Sequence, residues 1–548
     1  MAKPSRITQK MIDLYQKEGY WDTTTFAQIW DRNALQYGNQ VALVDGRHRL
    51  TWADCKQWID RMALGFLERG MKRDDVMVAQ LPNYVEMNLS RVACEKAGLI
   101  FIQALRNLRH REMEYIIKYT DTVGIIMPWK FGNFDHFQMI QDLEPNIPTL
   151  KHIFVVGDDV PPGTVSIGEM VREPLEERYS PDYLEKTACP PFEFCLIGQT
   201  TGTTGFPKFV EWPISSRMFQ AKTFAGALHL TNKDVLAIVS PGGAGASSMA
   251  YLGAPLVGAK VVMLDRFDAE AALRQIQEEG VTIGALVPSQ LQMMIRHPNF
   301  EKYDLSSLRV VVSTGAALAY QDGVEAEEKL RVPIVQAYGS TDSGNGGFGD
   351  MYAEREERLL TVGKCVPGIE LKLVDEEGNE VPQGEVGEAW LRSAASGSGY
   401  FRDPETTREA WTEDGWFKMG DLGRINRHGN LVLVGRKKDL IIRGGQNIFP
   451  AEVENLIMSH PNVSQASIVG MPDPLMGEKC CAYVVPMPDK TIAFDEMVAF
   501  LQKTDLAPYK LPERLEIVDE LPTVAEGQKI DKKALLRDIE TKLKSEGA

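Results

Sequence analysis

The sequence predicts an α/β protein with a large N-terminal domain of helix-covered, mainly parallel sheets plus a β-rich subdomain, followed by a small α+β C-terminal domain. Three observations carry that expectation. A chain of 548 residues is too long for one compact core, so two or more domains are expected. From Tyr20 to about Asp350, short β-rich runs alternate with amphipathic stretches, the pattern of parallel strands covered by helices. From Thr361 the texture changes to short strands and polar turns, and after Ile448 helix and strand alternate again.

Taken in order, the strand candidates of the first stretch are VALVDG (41–46), VMVAQLP (76–82), VGIIMP (123–128), HIFVVG (152–157), VLAIVSP (235–241), KVVML (260–264), IGALVP (283–288) and LRVVVSTG (308–315). Between them lie helical patterns such as KQWIDRMALGFLERG (56–70) and AEAALRQIQEEG (269–280). The second stretch offers IELKLVDEEGNEV (369–381), GEVGEAWLRS (384–393) and GNLVLVGRKKDLIIRGG (429–445), with the turn clusters DEEGNE and NRHGN marking hairpins. In the last hundred residues PAEVENLIMSHP (450–461) and DEMVAFLQK (495–503) read as helices, QASIVGMP (465–472) and CCAYVVP (480–486) as strands. There is no internal repeat and no low-complexity tract. A domain boundary is expected in the charged stretch Gly435–Asp439, although composition alone leaves an ordinary hairpin turn equally open.

Bulk properties exclude several function classes. Hydrophobic content of 44% and charged content of 25% are those of a soluble globular protein. A net charge of -16 argues against an extended nucleic-acid surface, though not against anionic small molecules held in local sites. Seven cysteines without regular spacing do not make a disulfide framework, and Cys480–Cys481 reads as strand packing rather than a metal site. The N-terminal residues have no apolar core for a signal peptide. Val235–Ala259 is uncharged and long enough to span a bilayer, but Pro241, Pro255 and several glycines interrupt it, so a buried strand–loop–helix is expected and no membrane span. A reduced, cytoplasmic protein is the default expectation. Oligomeric state stays open, a homodimer being one option.

One stretch asks for a ligand. GQTTGTTGFPK (198–208) follows the apolar run Phe194–Ile197, so the loop leaves a strand end. Glycines let backbone N–H groups approach a ligand, hydroxyls add donors, and Lys208 adds a positive charge, which together suit a polyphosphate. A flexible linker has similar composition, but seldom ends in Pro-Lys after a strand. The stretch is not a Walker A loop, which needs Gly-Lys-Ser/Thr.

Behind this loop, STGAAL (313–318), AYGSTDSG (337–344), GDLG (420–423) with GRKKDLIIRGGQNIFPAEVE (435–454), and GQKIDKKAL (527–535) follow in order. With TTGTTGFPK this set resembles the adenylate-forming superfamily of acyl-CoA synthetases, peptide-synthetase adenylation domains and luciferases, over nearly the whole chain. KEGYW (17–21), DPLMGEKCCAYVV (473–485) and KLPERLEIVDELP (510–522) look most like free-standing aryl-acid AMP ligases and their aryl- or alicyclic-acid CoA-ligase relatives.

The resemblance implies a reaction and a set of roles. A carboxylate and MgATP would give acyl-AMP and pyrophosphate, and a thiol would then take the acyl group. Attack on the α-phosphate needs charge neutralisation and alignment more than a strong base. Thr201, Gly202, Thr203, Thr204, Gly205 and Lys208 would hold the β- and γ-phosphates, and Thr341, within Ser340–Asp342, the α-phosphate. Asp342 would hold Mg²⁺; the family usually has Glu there, and the shorter Asp implies metal contact through water. Gly315, Ala316, Ala317, Ala337, Tyr338 and Gly339 would line the adenine, with Tyr338 stacked on the ring. Asp421 would accept from both ribose hydroxyls, and Arg436 would reach the ribose or phosphate. Lys529 would be the catalytic lysine of the first half-reaction. The family normally reads Gly-Lys there; here Gln528 intervenes, which leaves Lys532 and Lys533 as alternatives.

Members of the family run the two half-reactions in two domain arrangements. The hinge would be Lys438, dividing the chain into 1–437, the ATP- and acid-binding domain, and 438–548, a mobile domain. After pyrophosphate leaves, rotation would exchange Lys529 for Arg443, Gly444 and Gly445, which would let the pantetheine arm of coenzyme A pass.

For the acid, salicylate-type and dihydroxybenzoate-type ligases carry His-Asn after the strand ending near Pro241, and the asparagine reads the ring hydroxyl. This chain has Pro241-Gly242-Gly243-Ala244-Gly245-Ala246-Ser247. Such a wall suits a nonpolar acid, cyclic aromatic or alicyclic first and medium-chain second, with Gly346–Phe348 as the far wall. No carrier domain follows Leu535, so free coenzyme A is the expected acceptor. Loading of a separate carrier protein, or adenylate binding without catalysis, remains as an alternative.

Overall fold

The computed structural model of the chain describes residues 3–200, 207–242, 245–504, 506–524 and 529–546, and for Lys529 the backbone alone. Every strand candidate of the first stretch forms a strand, and the strands divide between two sheets. One sheet of eight strands runs Gly344–Phe348, Ile334–Ser340, Val310–Thr314, Ile283–Leu286, Val235–Ile238, Lys260–Met263, Val41–Val44 and Arg49–Thr51. The other, of seven, runs Phe209–Pro213, Phe194–Gln199, Ile100–Ala104, Val76–Gln80, Gly124–Pro128, His152–Val156 and Val165–Ser166. In both, the interior pairings are parallel; antiparallel pairs close both edges of the eight-stranded sheet and one edge of the seven-stranded sheet. Unbroken Val/Ile/Leu runs fit this arrangement because a parallel sheet is covered on both faces.

The main core lies between these sheets and is filled largely by two helices, Trp52–Glu68 and Val85–Ala97. All residues of Val85–Ala97 are buried, its charges included. Lys96 is neutralised by Asp31 and Asp60, each at 2.6 Å, and Glu86 by Arg47. Burial of such groups demands partners, because an unpaired charge in a core is costly.

The β-rich subdomain is a four-stranded antiparallel sheet, Ile369–Val374, Gly387–Ser393, Phe417–Ile425 and Leu431–Arg436. A final sheet joins Gln446–Ile448, Ile441–Arg443, Gly477–Pro486 and Val463–Asp473, with Arg514–Ile517 alongside Gly477–Pro486. The helices Pro450–Met458 and Phe494–Leu501 cover one face and Lys532–Glu546 the other. Cys480 and Cys481 point to opposite faces of one strand into these two cores, and burial pushes both thiols up to about 12. Among the described residues no cluster of three or more His, Cys, Asp or Glu side chains could hold a metal. The expected hinge position falls in a 3-10 turn, Lys437–Asp439, between Arg436 of the third sheet and Ile441 of the last.

Val235–Ala259 folds as a strand, then Gly245–Ser248, a π-helical turn Met249–Gly253, and Ala254–Val257. Among the described residues no helix is long and apolar enough to cross a membrane.

Candidate active site

The Gly-Thr stretch connects two antiparallel strands. Gln199 pairs with Phe209, and the Thr200 N–H donates to the Lys208 carbonyl at 3.0 Å, which closes the base of the hairpin. Thr201, Gly202, Thr203, Thr204 and Gly205 lie outside the described residues. At the base, a Cβ on Gly198 would stand 2.9 Å from Trp212 Nε1 and 3.0 Å from Thr341 Cγ2. Only glycine lets these strands and Thr341 close on one another, so the base of this hairpin and Thr341 share one place in the fold.

Thr341 and Asp342 occupy the tip of a second hairpin, between Ile334–Ser340 and Gly344–Phe348 at the edge of the eight-stranded sheet. Ser340 builds that tip: its hydroxyl accepts from the N–H groups of Asp342 (3.1 Å) and Ser343 (3.0 Å). Its side chain is thus engaged in turn geometry. Asp342 Oδ1 accepts from the Tyr400 hydroxyl at 2.7 Å, and Lys208 Nζ lies 4.9 Å from the Tyr400 ring centre. Burial raises the Asp342 carboxyl above the usual carboxylate range, against the Tyr400 bond and the Lys208 charge. A carboxylate beside a lysine is a hard oxygen donor. It fits a Mg²⁺ held chiefly by phosphates and water.

Four residues before Asp342, Tyr338 leaves the strand on the other side. Its ring is 9% exposed and packs with Val362 and Leu391, so little of it is open for stacking. Its hydroxyl donates to Asp421 Oδ2 at 2.9 Å, while Arg436 Nε meets Asp421 Oδ1 at 2.9 Å. Asp421 and Arg436 are cross-strand partners in the third sheet, which fixes their spacing. Three residues distant in sequence thus converge where the third sheet meets the eight-stranded sheet. Gly315, Ala316 and Ala317 are exposed just past the end of Val310–Thr314, beside Ala337, whose carbonyl accepts from Thr314 Oγ1 at 2.9 Å.

Gly444 and Gly445, with φ of 55° and 82°, form the two-residue turn between Ile441–Arg443 and Gln446–Ile448, the geometry of a type I′ hairpin. Arg443 is clamped by Glu513 through two bonds of 2.9 and 3.1 Å. Lys438 is exposed in the 3-10 turn. Lys529 follows the undescribed residues 525–528 and pairs through its backbone with Val524. Lys532 is tied down, to Glu454 at 2.7 Å and the Ile468 carbonyl at 3.1 Å.

Sequence reasoning missed Tyr400 and Asn345. Tyr400 closes the stretch SGSGY, which the sequence reading did not single out; its reach to Asp342 is tertiary. Asn345 lies three residues past Asp342, just ahead of the Gly346–Phe348 run expected as the far wall. It binds Gln220 and Thr223 of the helix Ile214–Ala227.

The model of the AMP-binding enzyme family matches residues 30–401, and that of the AMP-binding enzyme C-terminal domain matches 452–528. A salicylyl-CoA synthase/salicylate adenylyltransferase of a Streptomyces species is 32% identical over 97% of this chain and 96% of its own. A medium-chain fatty-acid–CoA ligase of Escherichia coli K12 is 29% identical over 96% and 93%. Among solved structures, an anthranilate CoA ligase in complex with anthranoyl-AMP superposes with a TM-score of 0.87, covering 95% of this chain and 98% of that one at 24% identity, a likeness of fold.

Proposed function

Because this chain belongs to the family of AMP-binding enzymes, we propose that it is an AMP-forming carboxylic acid–CoA ligase acting on a cyclic acid of largely nonpolar body. The observation that supports this most is a pair of carboxylates, one at the tip of a hairpin and the other bound to that hairpin through Tyr338. Asp421 is bound by Tyr338 and Arg436, and Asp342 is bound by Tyr400 beside Lys208, with Tyr338 and Asp342 four residues apart. One carboxylate suits ribose hydroxyls and the other a metal–phosphate group.

In the reaction, an oxygen of the acid attacks the α-phosphorus of ATP, the bond to the bridging oxygen breaks, and pyrophosphate departs. Lys208 and residues 201–205 hold the leaving phosphates. Thr341 donates to the α-phosphate, and Lys529 places positive charge between that phosphate and the incoming carboxylate. Asp342 would bind Mg²⁺, which supplies charge neutralisation on the phosphates when present. Asp421 and Arg436 fix the ribose, with Tyr338 steadying Asp421. The thiol of coenzyme A then attacks the acyl carbonyl and AMP leaves. In our reading residues 1–437 hold the nucleotide and acid, residues 438–548 turn about Lys438, and Arg443–Gly445 admit the thiol arm.

The test is direct. The protein is incubated with MgATP and benzoate, cyclohexane carboxylates, hydroxybenzoates and C2–C10 acids, with and without coenzyme A, and acyl-AMP and acyl-CoA are followed by mass spectrometry. Thioester from a cyclic acid supports the reading. Acyl-AMP that accumulates despite coenzyme A redirects it to a carrier protein, and no adenylate from any acid overturns it.

A further inference from the structure

Three residues past Lys208, the strand Phe209–Pro213 carries a buried carboxylate, Glu211. Its described hydrogen bonds all come from neutral donors. The Ser5 backbone N–H donates to Oε2 at 2.8 Å and the Ser5 hydroxyl to Oε1 at 2.9 Å. The hydroxyl of Ser398, itself buried, donates to Oε2 at 3.1 Å. A buried carboxylate deprived of its donors is costly. Glu211 therefore ties the N-terminal segment to the stretch SGSGY (396–400).

That stretch joins two parts of the candidate site. Its backbone lies along the edge of the seven-stranded sheet, beside Phe209–Pro213. The Glu211 N–H donates to the Gly399 carbonyl at 2.9 Å, and the Ser398 N–H to the Glu211 carbonyl at 2.9 Å. The Phe401 N–H donates to the Phe209 carbonyl at 2.7 Å. Toward the second hairpin, the Gly397 N–H donates to the Asp342 carbonyl at 2.9 Å. Tyr400, paired opposite Val210, then sends its hydroxyl to Asp342 Oδ1 at 2.7 Å. One short strand thus leaves Lys208 and seats Tyr400.

Two glycines in five residues give SGSGY little backbone preference of its own, so its neighbours must fix it. Ser5 is one of them. Gly399 has a φ of 131°, and a Cβ there would stand 3.1 Å from Ser5 Cβ and 3.1 Å from Thr407 Cγ2. Arg6 approaches the same tyrosine by a second route. Its guanidinium carbon lies 5.0 Å from the Trp411 ring centre, and the Trp411 and Tyr400 rings stand 5.2 Å apart. A continuous line of contacts therefore runs from Ser5 through Glu211 and Ser398–Tyr400 to Asp342.

We propose that Glu211 is a positioning residue for Asp342. Clasped by Ser5, it holds Ser398–Tyr400 against the strand that leaves Lys208, and so sets the Tyr400 hydroxyl on the carboxylate that would bind Mg²⁺. This rests on the ligase reading above. It adds the N-terminal segment to the parts that the first half-reaction needs.

The test uses the full chain and reads the clasp in two ways. Hydrogen exchange of residues 396–401, followed by mass spectrometry without nucleotide or metal, is expected to be about tenfold faster in Glu211→Gln and in Ser5→Pro, the scale of one lost hydrogen bond. Ser5→Pro removes both Ser5 donors at an exposed position, so it carries the test if the buried variant fails to fold. In both variants the magnesium chloride concentration for half-maximal pyrophosphate release at fixed ATP is expected to rise about threefold or more, with the KM for the acid unchanged. Added to Tyr400→Phe, Glu211→Gln is expected to give no further rise, because it acts through that hydroxyl. Exchange equal to wild type, a lowered melting temperature with an unshifted magnesium curve, or a full further rise in the Tyr400→Phe background overturns the assignment while leaving the ligase intact. Pyrophosphate release from no acid at all overturns the ligase reading itself and this one with it.

Discussion

The Tyr400 hydroxyl donates to Asp342 Oδ1 at 2.7 Å across 58 residues of chain. In a family that usually has glutamate at this position, the shorter side chain is held by a phenol. A hydrogen bond to a charged group contributes about 1.5–3 kcal/mol. Tyr400→Phe is therefore expected to raise the Mg²⁺ concentration for half-maximal pyrophosphate release by roughly tenfold or more. A magnesium titration at fixed ATP that superimposes on wild type would remove Tyr400 from the site.

Tyr338 acts on the nucleotide through Asp421. Removing its hydroxyl in Tyr338→Phe takes one hydrogen bond from a buried carboxylate and keeps the ring packing. The KM for ATP should rise about three- to tenfold, from a loss of about 1 kcal/mol, with the KM for the acid unchanged. An equal rise in both would mean that the hydroxyl supports the fold rather than ribose binding.

The two lysines near the C-terminus should separate cleanly. Lys529→Ala is expected to slow adenylation by about a hundredfold or more, the scale of a lost transition-state contact, while pre-formed acyl-AMP is still converted to thioester by coenzyme A. Lys532→Ala should instead lower the melting temperature by a few degrees and keep adenylation, because Lys532 holds Glu454 and the Ile468 carbonyl within its own domain. The opposite pattern would move the catalytic role to Lys532.

Acid stability should bear the mark of His136. Burial, helped by the Arg109 charge, lowers its imidazole to about 4. Gln80 spends its amide N–H groups on the Leu105 and Leu108 carbonyls, so its oxygen accepts from His136 Nδ1–H. The folded state keeps this ring neutral, whereas the unfolded chain takes up a proton below about pH 6.5. Stability from this group is present above that pH and is lost as pH falls toward 4. The loss is on the order of 2 kcal/mol between pH 7 and 5. Denaturant melts at the two pH values should show a flatter acid limb in His136→Gln; equal slopes would mean that the ring is not buried neutral.

Much of this was legible locally. The eight apolar runs predict strands because parallel strands buried on both faces must be continuously apolar, and Gly-Thr-rich or Gly-Asp turns announce themselves by residue type. Partition of those strands between two sheets was not legible, since each run satisfies either sheet equally. Tyr400 and Asn345 escaped for a related reason: a tyrosine after SGSG and an asparagine before Gly-Gly look like turn and wall until their partners are known.

The sequence by itself determined the α/β class, the order of motifs and the small-residue segment after Pro241, while the roles expected of Asp342 and Asp421 came from its resemblance to the family. These depend on side-chain type and on spacing along a few residues. Only the tertiary structure decided that Tyr338 serves Asp421, that Tyr400 holds Asp342, and that Lys532 is bound within its own domain. It alone decided that Gln220 and Thr223 hold Asn345. Such bonds join residues tens or hundreds of positions apart, and their direction follows from donors and acceptors that meet only when the sheets and the Ile214–Ala227 helix are packed together.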